Sequence, residues 1–330
     1  MGGWEDPSPP RFCDGKRETR VRTVVTGGAG FIGSHLVDAL LAEGNDVAVL
    51  DDLSTGRREN VHDEARLVVG SVLDPAAVAD ATDGAEVVFH LAALGAVTRS
   101  VDDPVSTQRA NTEGTLSVLV GARDAGARRF VLASSSSVYG GVGGTPTTEA
   151  VAPRPRSPYA VSKLAAEWHA RVFTELFPLE TVVLRYFNVF GPRQRPDAAY
   201  AAVIPLFTAA LLAGERPTVY GDGLQGRDFT YVSDVVAANL AAATAPSGVR
   251  GAVLNVAPGE CHTLLDLLAV LGDLVGTVPD PLFADRRPGD ITISQADARA
   301  ARETLGWSPT VPFAEGVARY VEWLRSGSAR

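Results

Sequence analysis

The sequence predicts an α/β protein built on a doubly wound parallel sheet, with a smaller α/β lobe toward the C-terminus. Three observations carry that expectation. A short β-rich run empties into the turn Gly27-Gly28-Ala29-Gly30-Phe31-Ile32-Gly33 just ahead of an amphipathic segment. Strand-like and helix-like patterns then alternate as far as Arg185, which parallel strands joined by right-handed crossovers require. Beyond Arg185 the texture changes, and prolines, glycines and long connections take over at residues 191–197, 214–228 and 279–290.

Taken in order, residues 1–20 are polar, contain Pro7, Pro9 and Pro10, and lack the apolar centre of a signal peptide, so they read as a flexible leader. Val21–Thr26 is the first strand and Phe31–Glu43 the first helix, stopped by Gly44-Asn45 before a second strand at Asp46–Leu50. Arg66–Val69, Glu86–His90, Arg129–Ala133 and Thr181–Arg185 continue the sheet, with helical patterns at Pro104–Ala125 and Pro158–Phe177. Residues 21–185 therefore form the first domain and 186–330 mainly a second lobe. Ala252–Val256 is a candidate strand to rejoin the sheet, which makes the boundary discontinuous.

The composition excludes several classes. A chain of 330 residues, 45% hydrophobic and 21% charged, is ordinary for a globular enzyme and long enough to bury a core split over two lobes. A net charge of −9 argues against a nucleic-acid partner. No apolar run reaches membrane-spanning length. Cys13 and Cys261 stand alone, and the five histidines are scattered, so neither a disulfide framework nor a metal site is indicated. A cytosolic, reducing setting is the expectation.

The glycine turn sits between a strand and a helix, where Gly27, Gly30 and Gly33 allow a tight turn and close backbone approach to a pyrophosphate lying on the helix N-terminus. The second strand ends at Asp51, at the offset expected for an acid that accepts from the adenosine ribose. Its charge repels a 2′-phosphate and favours NAD over NADP; Arg57 and Arg58 close by work the other way.

Lys16 and Lys163 are the two lysines among 30 Lys+Arg, so a lysine inside the folded region suggests work that a guanidinium does badly. Lys163 follows Tyr159 by four residues in Ser157-Pro158-Tyr159-Ala160-Val161-Ser162-Lys163, which puts both on one helix face. A phenol with a pKa of about 10 is too weak a base at neutral pH. A neighbouring ammonium and an oxidised nicotinamide both favour the phenolate, so a lowered Tyr159 pKa is expected. Ala133-Ser134-Ser135-Ser136-Ser137-Val138-Tyr139-Gly140 follows the fifth strand at the sheet edge where such folds bind ligands, completing a Ser/Tyr/Lys set.

These motifs resemble the extended short-chain dehydrogenase/reductase family, NAD-dependent epimerases and dehydratases on a Rossmann domain. Within it, they are most similar to UDP-glucose and UDP-N-acetylglucosamine 4-epimerases, from about Val21 to about Leu324. The resemblance implies an isomerase in which Tyr159 takes the 4-OH proton, Ser135 bonds O4, and Lys163 binds the nicotinamide ribose. A 4-keto sugar then turns over within the site before reduction on its other face. It further implies that Phe31, Ile32, Asp51, Asp52, Leu53, Thr55, Gly56 and Val72 bind the cofactor, with Ser71 near the adenine. Ser71 stands where the family usually has Asp. Leu91, Ala92, Ala93, Asn111, Tyr186 and Val189 complete the implied cofactor set.

For the sugar nucleotide, the resemblance implicates Gly95, Ala96, Ser135, Ser136 and Tyr159, with Asn188 in Arg185-Tyr186-Phe187-Asn188. It adds Val203, Val219 and Tyr220, Arg227 and Arg287 on the diphosphate, Asp290 on the uridine ribose, and Ser294 at the gate of the hexose pocket. Small residues at 95, 96 and 294 leave room for a 2-acetamido group. Ser136 and Ser137 stand where dehydratase and decarboxylase relatives carry carboxyl acids, so elimination lacks its proton carrier. A homodimer through the helices at Pro104–Ala125 and Pro158–Phe177 is the implied assembly. UDP-glucuronate 4-epimerase, another sugar-nucleotide-modifying activity, and a catalytically silent sugar-nucleotide-binding regulator stay open as alternatives.

Overall fold

In the computed structural model, residues 20–141, 146–286 and 291–327 are described. Seven parallel strands form the central sheet: β1 (Arg22–Thr26), β2 (Asp46–Asp51), β3 (Arg66–Val69), β4 (Val87–His90), β5 (Arg129–Ser135), β6 (Glu180–Tyr186) and, after several short elements, β11 (Ala252–Val256). Their order is β11-β6-β5-β4-β1-β2-β3, so the winding direction reverses between β1 and β4, where doubly wound sheets open a crevice at the strand ends. β11 pairs with β6 in parallel from Ala252↔Val182 to Val256↔Tyr186, so the chain returns to the sheet after a long excursion.

The strands are apolar on both faces because helices cover both. On one side α1 (Phe31–Ala42) and α8 (Val232–Thr244) bury Leu36, Val37, Leu40, Val235 and Leu240 against Val25, Val49 and Val131. On the other, α2 (Pro75–Thr82), α5 (Gly114–Asp124) and α6 (Pro158–Leu176) bury Val78, Leu119, Ala166 and Phe173 against Val24, Leu50 and Leu132. Asp74 and Ser157 cap α2 and α6, accepting from Ala76 N and Ala160 N, with Pro75 and Pro158 in the first turns.

The region from 104 to 125 is not one α-helix. α3 (Val97–Asp102) and α4 (Pro104–Gln108) lead into a π-helical turn at Arg109–Glu113 before α5 resumes. That turn carries Asn111, whose side chain accepts from Leu94 N at 2.8 Å and donates to Leu94 O at 3.2 Å and Ser162 Oγ at 2.9 Å. These tertiary bonds pin the helix to the loop after β4 and to α6, which coincides with the local widening.

A further core gathers the rest of the chain. α7 (Val203–Leu212), α9 (Leu264–Val275) and α11 (Phe313–Arg325) bury Ile204, Phe207, Leu267, Leu271 and Val317 with Phe190, Phe229 and Tyr231. Short strands stitch it together: β7 (Val189–Phe190) with β10 (Thr230–Tyr231), β8 (Thr218–Tyr220) with β13 (Leu282–Ala284), and β9 (Gly226–Arg227) with β12 (His262–Thr263) and β14 (Ile293–Ser294). α10 (Arg299–Leu305) packs back toward β11 and α8. Among the described residues no helix is long and apolar enough to cross a membrane, and no His/Cys/Asp/Glu cluster could hold a metal.

Candidate active site

A cavity of about 730 Å³ opens over the strand ends at the β1/β4 reversal. Its floor is the glycine turn. A Cβ on Gly33 would sit 2.2 Å from Gly27 O, and one on Gly27, whose φ is +72°, would sit 2.7 Å from Ala92 N. Side chains are therefore excluded where the turn meets the loop after β4. Gly30 is the N-cap of α1 and has no side chain to satisfy the first turn, so the leading N–H groups, at Phe31, Ile32 and Gly33, remain for an anion. These features fit the pyrophosphate of a dinucleotide.

Asp51 stands at the end of β2, 7% exposed, and accepts from Ala29 N at 2.9 Å and Leu53 N at 2.8 Å. An ionised carboxylate keeps further lone pairs for a ribose hydroxyl. Burial raises its pKa, and the two amide bonds act against that rise. Asp52, Thr55, Ser71, Val72, Leu91, Ala92 and Ala93 line the same wall. Leu53, with φ +57°, and Gly56 instead shape the turn behind it: a Cβ on Gly56 would meet Ala29 Cβ at 2.8 Å.

At the other end Tyr159 and Lys163 reach the cavity from α6, together with Tyr186 from β6. The Ser135 hydroxyl hydrogen-bonds the Tyr159 phenol and favours its ionised form, yet burial outweighs that bond and holds the phenol above its ordinary pKa. The protein's own groups thus leave the phenol raised, whereas the expected lowering was assigned to Lys163 and an oxidised nicotinamide together. Lys163 Nζ donates to Ala133 O at 3.0 Å. Lys163 itself is lowered to about 8, by burial first and against the opposing Glu167 carboxylate. Beneath it, His90 bridges Thr26 Oγ1 at 2.7 Å and Thr115 Oγ1 at 3.0 Å; burial, then the Lys163 charge, lower it to about 3, so it is neutral.

Gly95 and Ala96 line the cavity beyond Tyr159, and a Cβ on Gly95 would meet nothing within 4 Å. Ser135 and Ser136 sit half-buried at the end of β5. Asn188, with φ +29°, donates from Nδ2 to Asp228 O at 3.0 Å. Ser294 pairs in register with Arg227, whose Nη1 donates to Gly226 O and Ile291 O at 2.9 and 2.7 Å. Several expected residues lie off this cavity's lining. Asn111 is 1% exposed and acts as the tie described above, Val219 is fully buried in the third core, and Val189 and Val203 pack against that core. Tyr220 lies half-buried on β8. Arg287 and Asp290 lie outside the described residues.

Sequence reasoning missed Arg99, Ser106 and Arg109 on the cavity wall. The Asp103-Pro104 cap signature, with Asp103 accepting from Ser106 N at 3.1 Å, was the available signal that a helix opens there. Tyr200 closes the same wall: its hydroxyl donates to Asp102 at 2.8 Å, and the Arg99 guanidinium lies 5.3 Å from its ring centre.

The family model of the NAD dependent epimerase/dehydratase family matches residues 23–257. The UDP-glucose 4-epimerase of Mycolicibacterium smegmatis is 42% identical over 93% of this chain and 100% of its own. The solved UDP-N-acetylglucosamine 4-epimerase of Methanobrevibacter ruminantium, in complex with UDP-N-acetylmuramic acid, superposes with a TM-score of 0.89 at 38% identity, covering 93% of this chain and 99% of that one. UDP-glucuronic acid decarboxylase 1 of Xenopus tropicalis is 35% identical over 96% of this chain and 75% of its own length.

Proposed function

Because the chain belongs to the NAD dependent epimerase/dehydratase family, with NAD as cofactor, we propose that it is an isomerase interconverting the C4 epimers of a UDP-hexose, UDP-GlcNAc/UDP-GalNAc foremost and UDP-glucose/UDP-galactose besides. The observation that carries this reading is the Tyr159 phenol on the glycine-floored cavity, with Ser135 acting on it from the end of β5 and Ser136 and Ser137 in place of carboxyl acids. When bound, NAD would supply a hydride acceptor for C4 in its oxidised form, which also carries a positive charge, and a hydride donor in its reduced form.

The chain's own residues do the rest. Gly27, Gly30, Phe31, Ile32 and Gly33 hold the pyrophosphate, and Asp51 takes the ribose. Tyr159 removes the proton from the sugar 4-OH while Ser135 bonds O4 and relays it. Lys163, whose side chain lines the cavity, would hold the nicotinamide ribose through its ammonium. Asn188, Arg227 and Ser294 belong to the sugar-nucleotide side, so most of 186–330 serves the substrate and 21–185 the cofactor. The open space at Gly95 supports a substituted C2. A second reading, a UDP-glucuronate 4-epimerase, draws on Arg99 and Arg109, two cations on the cavity wall.

Incubation with UDP-GlcNAc, UDP-glucose, UDP-glucuronate and dTDP-glucose, followed by chromatographic separation of C4 epimers, tests the proposal. Interconversion of UDP-GlcNAc and UDP-GalNAc is expected. Accumulation of a dehydrated or decarboxylated product overturns the reaction class.

A further inference from the structure

Outside the groups just assigned, the described residues hold one dense knot of buried charge beside the site. Glu167 lies one turn beyond Lys163 on α6, so the two side chains share a face. They grip consecutive residues of β5: Lys163 Nζ donates to Ala133 O at 3.0 Å, and Ser134 Oγ donates to Glu167 Oε1 at 2.5 Å. The next residue is Ser135, which bonds Tyr159. From β6, Arg185 closes a fork on the same carboxylate, Nε to Oε1 at 2.9 Å and Nη2 to Oε2 at 2.6 Å. Its remaining arm donates to Tyr139 Oη at 2.9 Å, and Tyr139 donates to Asn255 Oδ1 at 2.7 Å, so the fork cannot swing. Ser134, Lys163, Glu167 and Arg185 are all 5% exposed or less.

We propose that Glu167 is a positioning residue: clamped between Arg185 and Ser134, its carboxylate is the fixed counter-charge that keeps Lys163 an ammonium against the end of β5. The groups facing Lys163 decide the matter. His90 on β4 is neutral, Tyr159 on α6 is a phenol, Arg185 on β6 is a second cation, and Glu167 is the anion among them. Two buried cations thus share one carboxylate. Guanidinium does not deprotonate in proteins, so if the carboxylate is lost the lysine is the group that sheds its proton. Lys163 already stands near the edge, lowered to about 8 by burial with Glu167 holding against it.

The inference rests on Lys163 serving the cofactor, yet its test does not need turnover. With Lys16 and Lys163 the two lysines of the chain, protein labelled with carbon-13 at lysine Cε gives two resonances, and Lys16→Arg identifies one of them. Glu167→Gln alone strands Arg185 in the core and invites unfolding, so the informative variant is Glu167→Gln/Arg185→Met, which removes a buried pair together. Arg185→Met alone serves as the reference, since it also lacks the second cation but keeps the carboxylate: in the full-length protein without added ligand, the double variant's Lys163 titration midpoint is expected to lie about one pH unit or more below that of Arg185→Met. Ser134→Ala, which deletes a hydrogen bond and no charge, is expected to keep the wild-type midpoint. A double variant that titrates with Arg185→Met, or an equal fall in Ser134→Ala, overturns the proposal. The alkaline limb of kcat should move with the midpoint, and an absence of epimerase turnover would remove the functional reading while leaving the titration standing.

Discussion

The phenol of Tyr159 is the residue on which the chemistry turns, and its surroundings show how far a spacing can be trusted. Four residues to Lys163 gave the shared helix face, because helical geometry is local. The electrostatics were not legible, because where an ammonium points depends on a carbonyl, Ala133 O, brought in by another strand. What the protein itself offers the phenol is the Ser135 hydroxyl, against burial. Two outcomes follow. Tyr159→Phe should retain NAD in the purified protein and lose about 10²–10⁴ in kcat, the range of a general base. Near-wild-type turnover would dismiss the assignment. Ser135→Ala removes the bond that lowers the phenol, so its pKa rises further and the acid limb of the kcat/KM profile moves to higher pH. A limb that stays in place would detach Ser135 from the ionisation.

At the scale of elements, the alternating strands and the glycine turn were readable because period and breaker residues act locally. Two boundaries were not. β5 runs past Ala133 to Ser135, since the polar serines pair in register with Arg185 and Tyr186 of β6, a tertiary bond no propensity reports. The helix at 104–125 breaks into a π-turn for a similar reason, the capture of Asn111 by Leu94 and Ser162. The glycine turn is the element under the tightest steric constraint. Gly33→Ala would set a methyl 2.2 Å from Gly27 O, which backbone cannot yield without opening the turn. The variant should release NAD and lose thermal stability together; a variant that folds and keeps its NAD would show that the turn has slack. Ser157→Ala is milder, costing about 1 kcal/mol of stability through the lost cap of α6, measurable by urea unfolding.

Across the whole molecule, two features join parts that the linear sequence holds far apart. The outer face of α6 carries Val161, Trp168, Val172 and Leu176, each at least 43% exposed, beside Val101 and Val105 from α3 and α4. An apolar stripe of that kind calls for a partner, and the proposed partner is a second copy of this chain. Trp168→Glu should then shift sedimentation from dimer to monomer with the fold intact, whereas a wild-type protein that sediments as a monomer removes the proposal. The other feature is Asp228, 0% exposed, whose carboxylate accepts from Gly259 N at 3.2 Å and Ala296 N at 3.0 Å, stapling three separate stretches of chain. Burial raises it to about 7 despite those amides. A carboxyl raised above its unfolded value of about 3.9 binds its proton more tightly when folded. Its contribution to stability is therefore greatest below about pH 4 and drains away as pH rises toward 7. Asp228→Asn cannot ionise, but it turns an amide donor toward backbone N–H groups. Its deficit in urea midpoint against wild type should accordingly be larger at pH 5 than at pH 8. A deficit that widens with pH would mean the carboxylate is charged in the folded state and that the amides, not burial, set its titration.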